Sequence, residues 1–303
     1  QSGLQRYRCA GCRRCFQSAP KHRLIRNREL WQSYAWHRQT LASLGRETGL
    51  SARQVRRIIR LAPTSQPKPT STEEPVVLVT DTTYFDRYGV MVFRCWTRRQ
   101  NLLWYFVGEE TVPQYLTGIE RLRQMGYTIT AVVCDGLPGL IQTLTTLGYP
   151  VQYCQFHLMK TATRYLTRHP QLLAGQELRR LSLTLPKSTQ AVFRVGLQEW
   201  YGWWQEFLKE RTVDLATGHW QYTHRRIRAA YRSIVRAWPY LFTYQRFPQG
   251  TVPNTTNTLD GSFSQLKQKV HVHRGLNYRT QIKLVSTLLT TSSGEQKPTK
   301  NVH

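Results

Sequence analysis

The apolar positions of the chain fall into two patterns. Between residues 76 and 157 short runs rich in Val and Ile alternate with stretches of helical period, whereas flanking segments show helical period alone. Val76 to Val79 is continuously apolar after Glu73, Glu74 and Pro75, which predicts a central strand buried on both faces, with Asp81 where the strand should end. Residues 76–82, 88–97 and 101–107 are predicted as three strands, with turns at Asp86–Gly89 and Arg98–Asn101. Tyr115, Leu116, Ile119, Leu122 and Met125 then repeat at helical spacing over 112–125. Thr128 to Cys134 is a second β-branched run and ends at Asp135-Gly136. A helix to about Leu147, a short strand Val151–Cys154 and a helix opened by Gln155-Phe156-His157 complete this region.

Upstream, residues 30–61 predict helices. Gln39 to Leu50 reads as a helix and a tight Gly turn, and Ser51 as the N-cap of a helix over Ala52–Leu61. Val55, Ile58 and Ile59 face inward, leaving Arg53, Arg56, Arg57 and Arg60 outside, the pattern of a helix-turn-helix that enters the DNA major groove. The Pro-, Ser- and Thr-rich stretch 63–75 is a linker. Residues 158–250 are predicted to be all helical, with an apolar stripe from Trp220 through Ile227, Tyr231 and Ile234 to Trp238 and a basic stripe of Arg225, Arg228, Arg232 and Arg236. Asn254-Thr255-Thr256-Asn257 caps a further helix from Thr258, carrying Asp260 in its first turn.

Charge narrows the function classes. The chain has 43 Lys+Arg against 17 Asp+Glu, a net charge of +26, and the excess is spread throughout. A polyanionic partner, double-stranded DNA above all, is implied, and Lys267 and Arg274 add to the candidate contacts. No apolar run approaches transmembrane length, so no membrane partner is expected. The six cysteines do not form a secreted disulfide framework, which implies a reducing compartment. With DNA as partner, the expected location is cytoplasmic and nucleoid-associated. Cys9 and Cys12 form the second knuckle of a zinc ribbon, a half-site because the upstream Cys pair is absent; Cys15 or His22 could contribute, and Zn²⁺ is expected if the full ribbon is present.

Only five Asp occur in the whole chain, and three of them stand at the ends of buried runs or in a helix's first turn: Asp81, Asp135 and Asp260. Three convergent carboxylates suit hard divalent cations, Mg²⁺ or Mn²⁺. A three-strand meander followed by alternating helix and strand is the order of a ribonuclease H-like α/β core, in which the first and fourth strands are neighbours. Asp81 and Asp135 would then lie side by side.

These motifs resemble the DDE-type transposases of the Mutator-like group of prokaryotic insertion sequences. The residues that carry the resemblance are Val-Thr-Asp81-Thr-Thr-Tyr-Phe, Val-Cys-Asp135-Gly-Leu-Pro-Gly-Leu, Tyr-Cys154-Gln-Phe-His157 and Thr255-Thr256-Asn257 through Lys267. The resemblance covers residues 76–285. It implies a transposase that binds element-end DNA and catalyses metal-dependent phosphodiester hydrolysis and strand transfer. Asp81 would bridge two metal ions, about 4 Å apart in such sites, while Asp135 and Asp260 hold one each. Cys154 and His157 would support the active site or touch DNA near it, and the chain would act as a homodimer on DNA. The domain plan is a partial zinc-ribbon-like segment (1–28), a helix-turn-helix (29–62), a linker (63–75), the core's first part (76–157), the helical insertion (158–250), a C-terminal core helix with the third acid (251–290) and a disordered tail (291–303).

One departure is Asp260, where the family usually carries Glu. Asp is one methylene shorter, so either the helix sits closer to the strands or one metal is held loosely. That departure, the half ribbon and the non-Met first residue fit an alternative reading, a decayed or catalytically inactive transposase-derived DNA-binding regulator. Weak cleavage with Mg²⁺, improved by Mn²⁺ and by Asp260→Glu, is expected. If Asp260 is not a ligand, Glu109 and Glu110 are the nearest substitutes.

Overall fold

In a computed structural model the described residues are 6–17, 21–37, 39–62, 74–273 and 275–291. The linker residues 63–73, the tail beyond 291 and Arg274 lie outside them. The elements, in chain order, are β1 (Arg6–Arg8), β2 (Cys15–Gln17), α1 (Lys21–Trp36), α2 (Leu41–Thr48), α3 (Ala52–Leu61), β3 (Val76–Phe85), β4 (Tyr88–Cys95), β5 (Gln100–Val107), α4 (Val112–Gln124), β6 (Ile129–Cys134), α5 (Leu140–Thr146), β7 (Val151–Tyr153), α6 (Gln155–Leu166), α7 (Leu173–Thr184), α8 (Gln190–Trp204), β8 (Arg211–Val213), β9 (Trp220–Tyr222), α9 (Arg225–Ala237), α10 (Asn257–Val272) and α11 (Tyr278–Thr291).

The chain divides into two compact units, Pro67–Phe263 and Gln1–Gln66 with Ser264–His303. The segment expected as one core piece, 251–290, is therefore divided within α10, and α11 belongs with the N-terminal helices.

The larger unit is built on one five-stranded sheet in the order β5-β4-β3-β6-β7. β3, β4 and β5 form the expected antiparallel meander; β6 pairs β3 in parallel, and β7 continues parallel on β6. The first and fourth strands of the sheet are thus neighbours, the arrangement expected of the fold that the element order resembles. Leu78, Met91, Phe93, Leu122, Val132 and Leu144 belong to the apolar cluster between the sheet and α4 and α5. Close approach of α4 to the sheet depends on Gly118, where a Cβ would stand 2.1 Å from the Phe93 ring.

A second apolar cluster, including Leu158, Phe193, Trp200 and Ile234, joins α6 to α9. Two carboxamides fix this helical region to the sheet. Gln152 of β7 donates to the Leu241 carbonyl at 2.9 Å and accepts from the Tyr244 amide, and Gln155 also donates to the Leu241 carbonyl. The region is not all helical. β8 and β9 form an antiparallel hairpin, so Trp220 belongs to a strand and α9 starts only at Arg225. Arg211 lies over the Trp220 ring at 4.0 Å and Arg228 over the Tyr222 ring at 3.5 Å. These cation–π contacts favour the hairpin over continued helix.

In the N-terminal unit α2 and α3 form the predicted pair. Gly49 ends α2 at φ 66°, and Ser51 and Gln54 make a reciprocal capping box at the start of α3. Lys283 of α11 donates to the carbonyls of Arg60 and Ala62, satisfying the end of α3, and Trp31 of α1 donates to Thr287 of α11. α1 begins at Lys21, nine residues ahead of the expected start near residue 30. Before it, Cys9 and Cys12 lie on the turn between β1 and β2, and Cys15 opens β2.

Candidate metal centre

The site is set by the register of two parallel strands. Val79 of β3 is level with Val133 of β6, so residues two further along, Asp81 and Asp135, come level on the same face. Asp81 does not terminate its strand as expected. β3 runs on to Phe85, because the hairpin to β4 continues past it with Asp81 opposite Val92. What ends near Asp81 is the pairing with β6, whose last level pair is Val79 with Val133. Asp81 is only 6% exposed, and its Oδ1 accepts the Thr82 amide at 2.8 Å. Asp135 follows β6 directly and accepts the Leu137 amide at 3.2 Å. Gly136 is required here, because a Cβ would meet the Tyr153 hydroxyl at 1.8 Å.

Asp260 reaches the site from the first turn of α10. Two anchors hold this turn to the sheet-centred unit. The buried Cys154 thiol accepts the Thr256 amide at 3.2 Å, and Arg94 of β4 donates to the Ser262 hydroxyl at 3.0 Å. Leu259 and Phe263 are buried on the packed side of the same turn. The Thr256 hydroxyl then donates to Asp260 Oδ2 at 3.3 Å and lies 3.3 Å from Cys154 Sγ and 3.5 Å from His157 Nδ1. Cys154 and His157 therefore meet through Thr256. Cys154 is fully buried, and what its thiol reaches is the loop before α10. Lys160, one turn after His157, stands 3.8 Å from Asp260 Oδ1 and 4.2 Å from the centre of the Phe156 ring.

Two groups of potential ligand atoms result, each with its members within 4.8 Å of one another: Asp81, Glu110 and Asp135, and Asp81, His157 and Asp260. Asp81 belongs to both, so the three aspartates, 54 and 125 residues apart in sequence, converge on one place. Glu110, named from the sequence only as a substitute for Asp260, stands beside Asp81 and Asp135 instead. Its carboxylate accepts a hydrogen bond from the Tyr115 hydroxyl, which also lies 3.2 Å from the Thr82 hydroxyl. No sequence motif marks Glu110; Thr111 at the N-cap of α4 and the end of β5 bring it to the sheet edge.

The electrostatics are those of crowded, desolvated acid. Burial pushes the Asp81 carboxyl well above the usual range, and Asp135 and Asp260 push it further, against the Thr82 amide. Asp135 is pushed up to about 6, by burial first and then by Glu110, with the Leu137 amide opposing. Burial and Lys160 hold the His157 imidazole below its ordinary value, against the pull of Asp260. A neutral imidazole keeps a lone pair for a cation. One shared carboxylate, three more around it and one imidazole form a mainly hard-oxygen donor set that a pair of divalent cations would neutralise. These residues fit Mg²⁺ or Mn²⁺.

The other candidates are dispersed. Arg53, Arg56, Arg57 and Arg60 are exposed along α3, and Lys267 is exposed on α10. Cys9 and Cys12 belong to no group of three metal-ligating residues among those described. The Cys9 thiol is drawn below its ordinary value, by hydrogen bonding to Cys12 first. All six cysteines are free thiols. Among the described residues no helix is long and apolar enough to cross a membrane.

No family model matches the chain, and no curated protein matches it. Among solved structures it is similar to the Drosophila P element transposase strand transfer complex, with 10% identity over 87% of this chain and 91% of that chain and a TM-score of 0.36. At that score the fold rests on the strand order and register described above.

Proposed function

We propose that this chain is a DDE-type transposase, of the Mutator-like group its motifs resemble, that cuts and joins DNA phosphodiesters with two divalent cations. The observation that carries the reading is the sharing of Asp81 between two groups of ligand atoms. Asp81, Asp135 and Glu110 would hold one cation; Asp81, Asp260 and His157 would hold the other. When bound, such ions activate the attacking oxygen and stabilise the charge of the leaving one.

The chain's own residues supply the surroundings. β3 and β6 fix two carboxylates rigidly, and Cys154, Thr256 and Arg94 position the third. Lys160, exposed beside Asp260, offers a cation to a DNA phosphate approaching the centre. The shorter Asp260 is compatible with activity because its carboxylate already lies within 4.8 Å of Asp81 and His157. The imidazole nitrogen favours Mn²⁺ over Mg²⁺, which is also the more geometrically demanding ion. Double-stranded DNA at element ends and target is the substrate, the exposed arginines of α3 contribute to binding it, and a homodimer is the acting form.

The test is cleavage of the element's terminal DNA by the purified full chain with Mg²⁺ or Mn²⁺. Cutting should be stronger with Mn²⁺ and lost in Asp260→Ala, with DNA binding retained. Asp260→Glu should cut better still; a natural chain that cuts better than Asp260→Glu would make Asp the adapted residue and remove the decayed reading. A chain that binds the DNA but cuts with neither metal is the inactive regulator, and cutting by Asp260→Ala equal to the natural chain would remove Asp260 from the ligand set.

A further inference from the structure

The N-terminal unit contains a cavity of about 510 Å³ with none of the acidic centre's residues. Two arginines of α3, Arg56 and Arg60, stand one turn apart on its wall, and among its described lining residues none is acidic. Two helices begin at its edge. Thr40 caps α2, its hydroxyl accepting the Ser43 amide at 3.1 Å, and Asn277 caps α11, its side chain accepting the Thr280 amide at 2.9 Å. The first amides of a helix carry partial positive charge and lack carbonyl partners within it, so both ends favour an anion.

His273 supplies an independent observation. It also lines the cavity, is 6% exposed, and its buried Nε2 has no hydrogen-bond partner. The ring is held in place, its centre 4.0 Å from that of the Tyr34 ring at a tilt of 32°, and hydrogen-bonded to the Tyr34 backbone. A buried polar atom left unpaired costs about 1–3 kcal/mol. Burial holds the imidazole below its ordinary value, against the Tyr34 hydrogen bond, so an anion in the cavity would relieve that cost by drawing a proton onto Nε2, as it would be met by the two guanidinium groups. Guanidinium forks, helix N-termini and imidazolium together match the oxygens of a phosphate group.

We propose that this cavity binds a phosphate group, and that its source is a backbone phosphodiester of bound DNA. It separates the α3 arginines by role: Arg56 and Arg60 seat one phosphate in a built pocket, while Arg53 and Arg57, on the adjacent stripe of the helix, are left for the rest of the duplex. The inference goes beyond the metal-dependent reading and rests on it only for DNA as the phosphate's source.

Histidine-ring NMR of the full chain tests it, with the His273 signals assigned by their loss in His273→Gln. Inorganic phosphate and a DNA duplex are titrated separately. The expected result is that the His273 Nε2 signal moves with both, and at lower concentration with the duplex. Arg56→Gln/Arg60→Gln, which changes only exposed side chains, should abolish the phosphate response and lower the salt slope of duplex binding by about one unit. A signal that moves with neither probe, or moves equally in the double variant, overturns the site. A signal that moves with inorganic phosphate and not with bound duplex overturns DNA as its source and assigns the pocket to a free phosphate, whatever the outcome of the cleavage assay.

Discussion

The sheet-centred unit and the N-terminal unit each gather like charges, of opposite sign, and support them differently. Asp81 and Asp135 are short side chains fixed on strands, half or fully buried, with their carboxyls pushed toward the protonated form. Arg56 and Arg60 are long side chains on a helix, exposed, with their charge in solvent until a ligand covers it. Crowding buried acids destabilises the fold until a cation arrives, whereas gathering solvated arginines costs little. Charge changes in the first region should therefore move stability and chemistry together, and changes in the second should move binding alone.

The sharpest way to break that contrast is Asp81→Asn. It should lower metal-dependent cleavage by about three orders of magnitude or more, as removal of a group shared by both ligand sets would. The same variant should melt higher than the natural chain at pH 7 without metal, because it removes the most buried charge of the cluster. Unchanged melting would show that the acids are not destabilising.

The pH dependence of stability comes next in size. A carboxyl whose folded pKa is raised binds its proton more tightly in the folded chain, so the folded state loses stability as pH rises from the unfolded value toward the folded one. For Asp135 the window runs from the ordinary 3.8 to about 6. The roughly two-unit shift corresponds to about 3 kcal/mol of destabilisation at pH 7, absent below pH 4. Asp81 adds to it in the same direction. Thermal melts with a chelator should therefore weaken across this window, and Mn²⁺ should restore stability at pH 7 while adding little at pH 4. An Mn²⁺ effect equal at both pH values would contradict a carboxylate site.

The smallest effect is expected in the basic region. Arg53→Ala/Arg57→Ala should leave the melting temperature within a degree or so of the natural chain, since exposed substitutions usually change stability by under about 0.5 kcal/mol. Duplex binding should weaken, with the salt slope falling by about one unit per phosphate no longer neutralised. A large drop in stability would mean that these side chains pack and do not merely face solvent.

Residue order alone determined much of this molecule. The β-branched runs at Val76 and Thr128 mark the two strands whose parallel pairing aligns Asp81 and Asp135, and Ser51 with Gln54 caps the helix of exposed arginines, because a strand's period and a helix's cap are chemistry of near neighbours. The scarcity of Asp in a strongly basic chain singled out the three that converge. Other features required the folded chain. Trp220 sits in a hairpin strand because Arg211 and Arg228 reach across to the aromatic rings of β9, an arrangement that helical spacing does not reveal. Glu110 joins Asp81 and Asp135 through the end of β5 and the start of α4, and the Thr256 hydroxyl meets Cys154, His157 and Asp260 from segments about 100 residues apart. His273 faces the same cavity as Arg56 although more than 200 residues separate them in sequence. Local patterns fix backbone conformation because their interactions lie within a few residues. Which side chains from distant elements share one desolvated space is decided only when those elements pack.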